Sequence, residues 1–194
     1  ITLGEQKSIR YFFPSSDPII IPNGINSKPY AESKCPGPMT DSGVKRILFV
    51  GRIHPVKGLH LLIDAIATLE VESGFILDIV GPEEDLDYAK HIREKCREYD
   101  LSLSIRFHGG VFNLEEKILF YKQAWICVVP SWSEVIGLVN LEAAASSCPT
   151  ITTRATGLYD WADGGGLLIS PSVNELTKAL TEALDWSLEE RVLY

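Results

Sequence analysis

The chain has 194 residues, 45% of them apolar and 23% charged. That is enough to bury the core of one ordinary domain and too apolar for a disordered segment. The net charge of −8, from 18 basic and 26 acidic side chains, excludes a surface built to coat nucleic acid, which needs excess Lys and Arg. A small basic pocket remains compatible with it, because two or three local charges can hold an anion on an acidic protein.

No apolar run reaches the roughly 18–20 residues that cross a bilayer, and no signal-peptide pattern opens the chain. Ile1 opens it and Met39 is the single methionine, so the sequence reads as an excised fragment with its partner domain elsewhere in the parent chain. Cys35, Cys96, Cys127 and Cys148 form no CxxC pair. They read as reduced, mostly buried thiols of a cytoplasmic protein. His54, His60, His91 and His108 show no HExxH or Cys/His spacing, so no metal site is expected.

In chain order, Ile19-Ile20-Ile21 is an apolar run ended by the turn signal Pro22-Asn23-Gly24. Residues 1–30 read as a lead-in segment and residues 31–45, rich in Pro, Gly and Ser, as a loop. A single domain then occupies 46–194. Ile47 to Val50 is a continuous apolar strand closed by Gly51. Leu59, Leu62, Ile63, Ile66 and Leu69 recur at helical spacing. Ile76 to Val80 is a second strand closed by Gly81-Pro82, and residues 84–99 read as an exposed, charged helix. A third strand, Ile105 to Phe107, precedes Gly109-Gly110 and a short helix over 114–123. Trp125 to Val129 is a fourth strand closed by Pro130, followed by an Ala-rich helix from Leu138 to Ser147. Strands at Thr150 to Thr153 and Leu167 to Ile169 and a helix over 173–186 complete the pattern.

Apolar strands alternating with helices predict an α/β class domain, Rossmann-like and doubly wound, with a mostly parallel sheet and helices on both faces. Ligands of such sheets bind beyond the carboxyl ends of the strands, so the residues after each strand carry the functional reading. Gly51-Arg52-Ile53-His54-Pro55-Val56-Lys57-Gly58 joins the first strand to its helix. Arg52 offers a planar fork and Lys57 a mobile point charge, which together suit a diphosphate; two solvated cations on a surface turn is the alternative. Neither a Walker loop nor a GxGxxG is present, which argues against an NAD-dependent oxidoreductase.

After the fourth strand comes Pro130-Ser131-Trp132-Ser133-Glu134-Val135-Ile136-Gly137-Leu138-Val139-Asn140-Leu141-Glu142. Glu134 falls in the loop, Gly137 at a helix start, and Glu142 about one turn inside. A carboxylate there can accept from two vicinal hydroxyls; carboxylates solvated near a helix start are the alternative. Asp85-Leu86-Asp87 is formally a DxD, but its acidic run suits a helix start rather than a metal. Gly164-Gly165-Gly166 reads as a flexible turn, and Trp132 as half-buried packing.

Gly51-Arg52 with Lys57-Gly58, and Glu134 and Glu142 with seven residues between them in a Pro-Ser…Glu…Gly…Glu-Ala stretch, resemble the retaining glycosyltransferases of family four. Ile21-Pro22-Asn23-Gly24, Val80-Gly81, Phe107-His108-Gly109 and Gly157 match in the same order, from about residue 20 to 184. Val135-Ile136 in place of the usual Gly-Phe, and Ser147-Cys148 in place of Ala-Gly, are departures.

The resemblance implies a GT-B fold of two Rossmann-like domains, of which this chain would be the C-terminal, donor-binding one. It implies transfer of a hexose, from a UDP-sugar (UDP-glucose-like) before a GDP- or ADP-sugar, to a glycan or lipid-linked acceptor with retention, and without a metal. By the same resemblance Arg52 and Lys57 hold the diphosphate, Glu142 the ribose and Glu134 the transferred sugar. Backbone at Gly51, Ile136, Gly137 and Leu138 supports sugar and phosphate, Val111 offers its main chain to the base, and Gly81-Pro82 lies nearby. The implied partner is an N-terminal acceptor-binding domain of the same parent chain, with peripheral membrane contact confined to the full-length enzyme. A non-catalytic nucleotide-binding module is the alternative.

Overall fold

The computed structural model describes residues 3–19, 21, 23–38, 43–69, 74–158 and 160–194. Six strands form one sheet: β1 (Lys45–Val50), β2 (Phe75–Val80), β3 (Ile105–Gly109), β4 (Ile126–Val129), β5 (Thr150–Thr153) and β6 (Gly166–Ile169). Their order is β3-β2-β1-β4-β5-β6, and every pairing is parallel. The helices are α1 (Leu3–Phe12), α2 (Lys28–Ala31), α3 (Leu59–Ala67), α4 (Leu86–Glu98), α5 (Leu114–Gln123), α6 (Leu138–Ala145), α7 (Val173–Asp185) and α8 (Leu188–Arg191).

Alternation along the strands divides the core in two, as the period of a strand requires. Ile47, Phe49, Leu77, Ile79, Ile126, Val128 and Ile151 face α3, α4 and α7. Leu48, Val80, Cys127 and Val129 face the other way, onto Ile118 and Tyr121 of α5 and Ala143 of α6. Tyr30 of α2, from the lead-in segment, is buried in that second cluster. Sheet faces covered on both sides explain why these strands are apolar throughout.

Three expectations change. Helix α4 is not an exposed helix, because Ala89, Ile92 and Cys96 bury one face against the sheet; its many charges occupy only the other side. The triple glycine is a turn before β6, as expected, only at Gly164 and Gly165; the third glycine belongs to the strand. Gly166 starts β6, where a Cβ would sit 1.9 Å from Thr150 O, and Gly165 lies against the Trp161 ring. Helices α1, α2 and α8 lay outside the sequence expectation. Of the run at 19–22, Ile20 and Pro22 lie outside the described residues, while Ile19 and Ile21 are exposed. All four cysteines are free and three are buried, as expected. Burial pushes the Cys148 thiol up to about 12 and Cys96 up to about 11.

Candidate functional site

The strand order turns back between β1 and β4, since the chain runs from β1 outward to β3 and then returns to the other side. Such a switch point opens a crevice at the carboxyl ends of the two central strands. The loop after β1 and the loop after β4 meet there. Gly58 adopts φ +67, and a Cβ on it would sit 2.1 Å from Pro130 O, so only glycine lets the loops touch. Trp132 N donates to Val56 O at 2.9 Å, a second tie between them. His54 braces the same turn, its Nδ1 accepting from Val56 N at 3.2 Å.

Across this junction Lys57 Nζ donates to Glu134 Oε1 at 2.9 Å, the two side chains being 20% and 12% exposed. Ser131 Oγ donates to the same oxygen at 2.7 Å. Glu134 N donates to Ala155 O at 2.9 Å, and Thr153 Oγ1 to Ser131 O at 2.6 Å. The loop is thereby fixed between β1 and the turn after β5.

Glu142 forms a separate cluster. Its Oε1 accepts from Lys117 Nζ at 2.7 Å and its Oε2 from the Tyr121 hydroxyl at 2.7 Å. Burial first, then the neighbouring Cys127 and Glu142, raises the Tyr121 phenol well above its ordinary value. Burial and the Glu142 charge raise Tyr30 likewise. Both phenols therefore stay protonated. A carboxylate has about four lone-pair sites; Lys117 and Tyr121 take two, the Tyr30 hydroxyl lies close to a third, and the rest is left for an incoming hydroxyl.

The candidate residues thus fall into three groups. Lys57 and Glu134 are brought together. Glu142 belongs to the second cluster and shares no partner with Glu134. Arg52 turns to Glu84 on the loop after β2, both being about half exposed. Gly51 and Gly81 lie in contact, a Cβ on Gly81 meeting Gly51 O at 1.8 Å. Pro82 O accepts from Ile53 N at 2.8 Å, and Val111 packs its side chain on the second core cluster. Gly137 N–H donates to Thr156 O at 3.3 Å and Leu138 N–H to Ile136 O at 2.9 Å. Both amides at this helix start are engaged, whereas the sequence suggested they were open to an anion.

Two readings of neighbouring residues hold. Asp85 is the N-cap of α4, its side chain accepting from Tyr88 N at 2.9 Å, so the DxD is a helix start. Trp132 is 47% exposed and stacks on His60, ring centroids 6.4 Å apart. Burial lowers the His60 pKa, and its Nδ1 lies 2.8 Å from the Tyr88 hydroxyl. Sequence reasoning missed Ser131, Lys117, Tyr121, Tyr30 and Glu84. Lys117 and Tyr121 lie four apart on one helix face, a signal visible in the chain, but nothing local aimed that face at Glu142.

These features define a doubly wound α/β domain with a charged crevice at its switch point. The chain belongs to the glycosyl transferases group 1 family, whose model matches residues 44–186. It is 33% identical over 175 residues to a glycogen synthase from Mycobacterium tuberculosis, covering 86% of this chain and 39% of that one. Sucrose-phosphate synthase from Thermosynechococcus elongatus superposes with a TM-score of 0.82 at 26% identity, over 100% of this chain and 50% of that chain. An Anabaena protein solved in complex with UDP and glucose superposes with a TM-score of 0.80 at 19% identity, over 99% and 54%. The chain therefore spans about two fifths to one half of the length of these proteins.

Proposed function

We propose that this chain is the C-terminal, donor-binding domain of a GT-B glycosyltransferase that moves a hexose from a UDP-sugar to a glycan or lipid-linked acceptor with retention. The observation that carries the reading is the Lys57–Glu134 pair at the switch point, 2.9 Å across the β1 and β4 loops. It puts a cation and a sugar-binding carboxylate where a doubly wound sheet receives its ligand. A donor diphosphate draws Lys57, and then Arg52, from their carboxylates, since phosphate oxygens are strong acceptors for both. Glu134, still held by Ser131, is then free to orient the sugar. Glu142 accepts from the ribose hydroxyls with its remaining lone pairs. Gly51, Ile136, Gly137 and Leu138 support phosphate and sugar through the backbone, with Val111, Gly81 and Pro82 beside the base.

Arg52 and Lys57 match the two charges of the bound diphosphate, and backbone N–H groups at the head of α6 would meet the further charge that develops as it leaves, so the reading invokes no metal. The Anabaena protein of the same fold was solved with UDP and glucose, which supports UDP as the first nucleotide to try. An N-terminal domain of the parent chain supplies the acceptor site and closes the crevice against water. The free thiols of this chain, three of them buried, suit a reducing, cytoplasmic setting.

Calorimetric titration of UDP-, GDP- and ADP-sugars into the chain tests the reading. UDP binds, and Glu142→Ala weakens it about tenfold, or about 1.4 kcal/mol. Unchanged affinity removes the ribose assignment. The chain alone transfers sugar poorly; robust transfer without a second domain would overturn the division of labour.

A further inference from the structure

We propose that Asn140 is a positioning residue that lets the turn at the head of α6 open for a diphosphate, by taking over the carbonyls that the turn releases. The inference rests on the donor-site reading above. Gly137 N–H is spent on Thr156 O and Leu138 N–H on Ile136 O. The second bond closes a three-residue ring with Gly137 at φ −75 and ψ 79, an inverse γ-turn. An anion at a helix start needs N–H groups of this kind, and here it meets them already engaged.

Asn140 lies in the first turn of α6 and is 0% exposed. Neither its Nδ2 nor its Oδ1 has a partner among the described residues. Native proteins rarely keep a buried amide in that condition without a reason. Its position supplies one. A Cβ built on Gly137 would sit 2.5 Å from Asn140 Nδ2 and 3.4 Å from Thr156 Cβ. The amide therefore lies against the turn itself and beside the residue whose carbonyl Gly137 uses.

The hydrogen-bond count then balances. When Gly137 and Leu138 turn their N–H groups to phosphate oxygens, Thr156 O and Ile136 O lose their donors. Asn140 Nδ2 carries two hydrogens, neither committed in the closed turn. Each freed carbonyl it takes keeps the open turn bonded. An apolar residue at 140 would leave those carbonyls bare and hold the turn shut.

Asn140→Val, close in volume, and Asn140→Ala, which cannot crowd Gly137, test this by calorimetry with UDP and with uridine, alongside thermal unfolding. Without ligand, Asn140→Val melts about 3 °C higher than wild type, because the unpaired amide is gone. UDP affinity falls about tenfold in both variants. Uridine affinity is unchanged, because the turn serves the diphosphate. In nitrogen-15 spectra of the wild type, UDP shifts the Asn140 side-chain amide together with the Gly137 and Leu138 amides.

Wild-type UDP affinity in both variants would overturn the role of Asn140 and leave the donor reading standing. An equal loss for uridine would show general damage to the pocket and also overturn it. An ordered water satisfying both amide atoms with and without UDP would do the same. A wild-type chain that binds no UDP removes the donor reading and this inference with it.

Discussion

Two cations at the amino end of the sheet, Lys45 and Arg191, are held differently from three at its carboxyl end, although Arg46 beside Lys45 faces the buried carboxylate of Asp78. At the amino end, Lys45 donates to Leu184 O at 2.7 Å and Trp186 O at 2.8 Å, with its ammonium 4.1 Å from the Trp125 ring centroid. Arg191, buried, donates to Trp125 O at 2.8 Å and Ala124 O at 3.0 Å. Burial lowers the pKa of both. At the carboxyl end, Arg52, Lys57 and Lys117 each face a carboxylate: Glu84, Glu134 and Glu142. A buried cation on main-chain carbonyls and a ring fastens the chain, because leaving would strand those carbonyls. A cation on a carboxylate at a crevice edge can exchange one anion for another. The first arrangement fastens the fold, and the second is the one the proposed donor site would use.

The largest test of that contrast is Arg191→Met. It strands the Ala124 and Trp125 carbonyls and detaches α8, and should cost about 3 kcal/mol. Urea unfolding reads the loss, while UDP affinity stays at wild-type level in the folded protein. A cost under about 1 kcal/mol would mean that Arg191 is not a fastener.

Glu84→Ala probes the other end. Both members of the Arg52–Glu84 pair are about half exposed, so unfolding free energy should move by no more than about 0.5 kcal/mol. UDP affinity should rise about threefold, because Arg52 no longer has to leave a carboxylate. A fall in affinity would show that Glu84 places Arg52 rather than competing for it.

The smallest effect is a pH slope at the crevice edge. Burial holds the His60 pKa below its ordinary 6.5. The unfolded chain therefore binds the proton first as pH falls, so the contribution of His60 is complete above pH 6.5 and is lost on acidification below it. His60→Gln should flatten the fall in urea midpoint as the pH drops below 6.5. An identical slope in the variant would assign the fall to other groups.

The six strands and five of the helices were legible because burial on both faces leaves continuous apolar runs, and the acidic run at Asp85 marks a helix start. Helices α2 and α8 have four residues each, too short for periodicity to register. In α4 the charges along the exposed side masked the buried stripe of Ala89, Ile92 and Cys96. Among the proposed site residues, Arg52, Lys57, Glu134 and Glu142 stood out by their places after strands, and the family resemblance supplied the roles proposed for them. Their present partners were not. Lys57 meets Glu134 from 77 positions away and Glu142 meets Lys117 from 25.

The sequence by itself determined the layered α/β architecture and the loops in which chemistry could lie. Both follow from local rules: the period of apolar residues and the turns that glycine and proline impose. Only the tertiary structure decided which charges meet, that both amides at the head of α6 are already engaged, and that Asn140 is buried without a partner among the described residues. The charge pairs and the Gly137–Thr156 bond join groups distant in the chain, and no local pattern encodes a pairing across that distance; the Leu138–Ile136 bond is local, but the turn that makes it carries no signal in residue type.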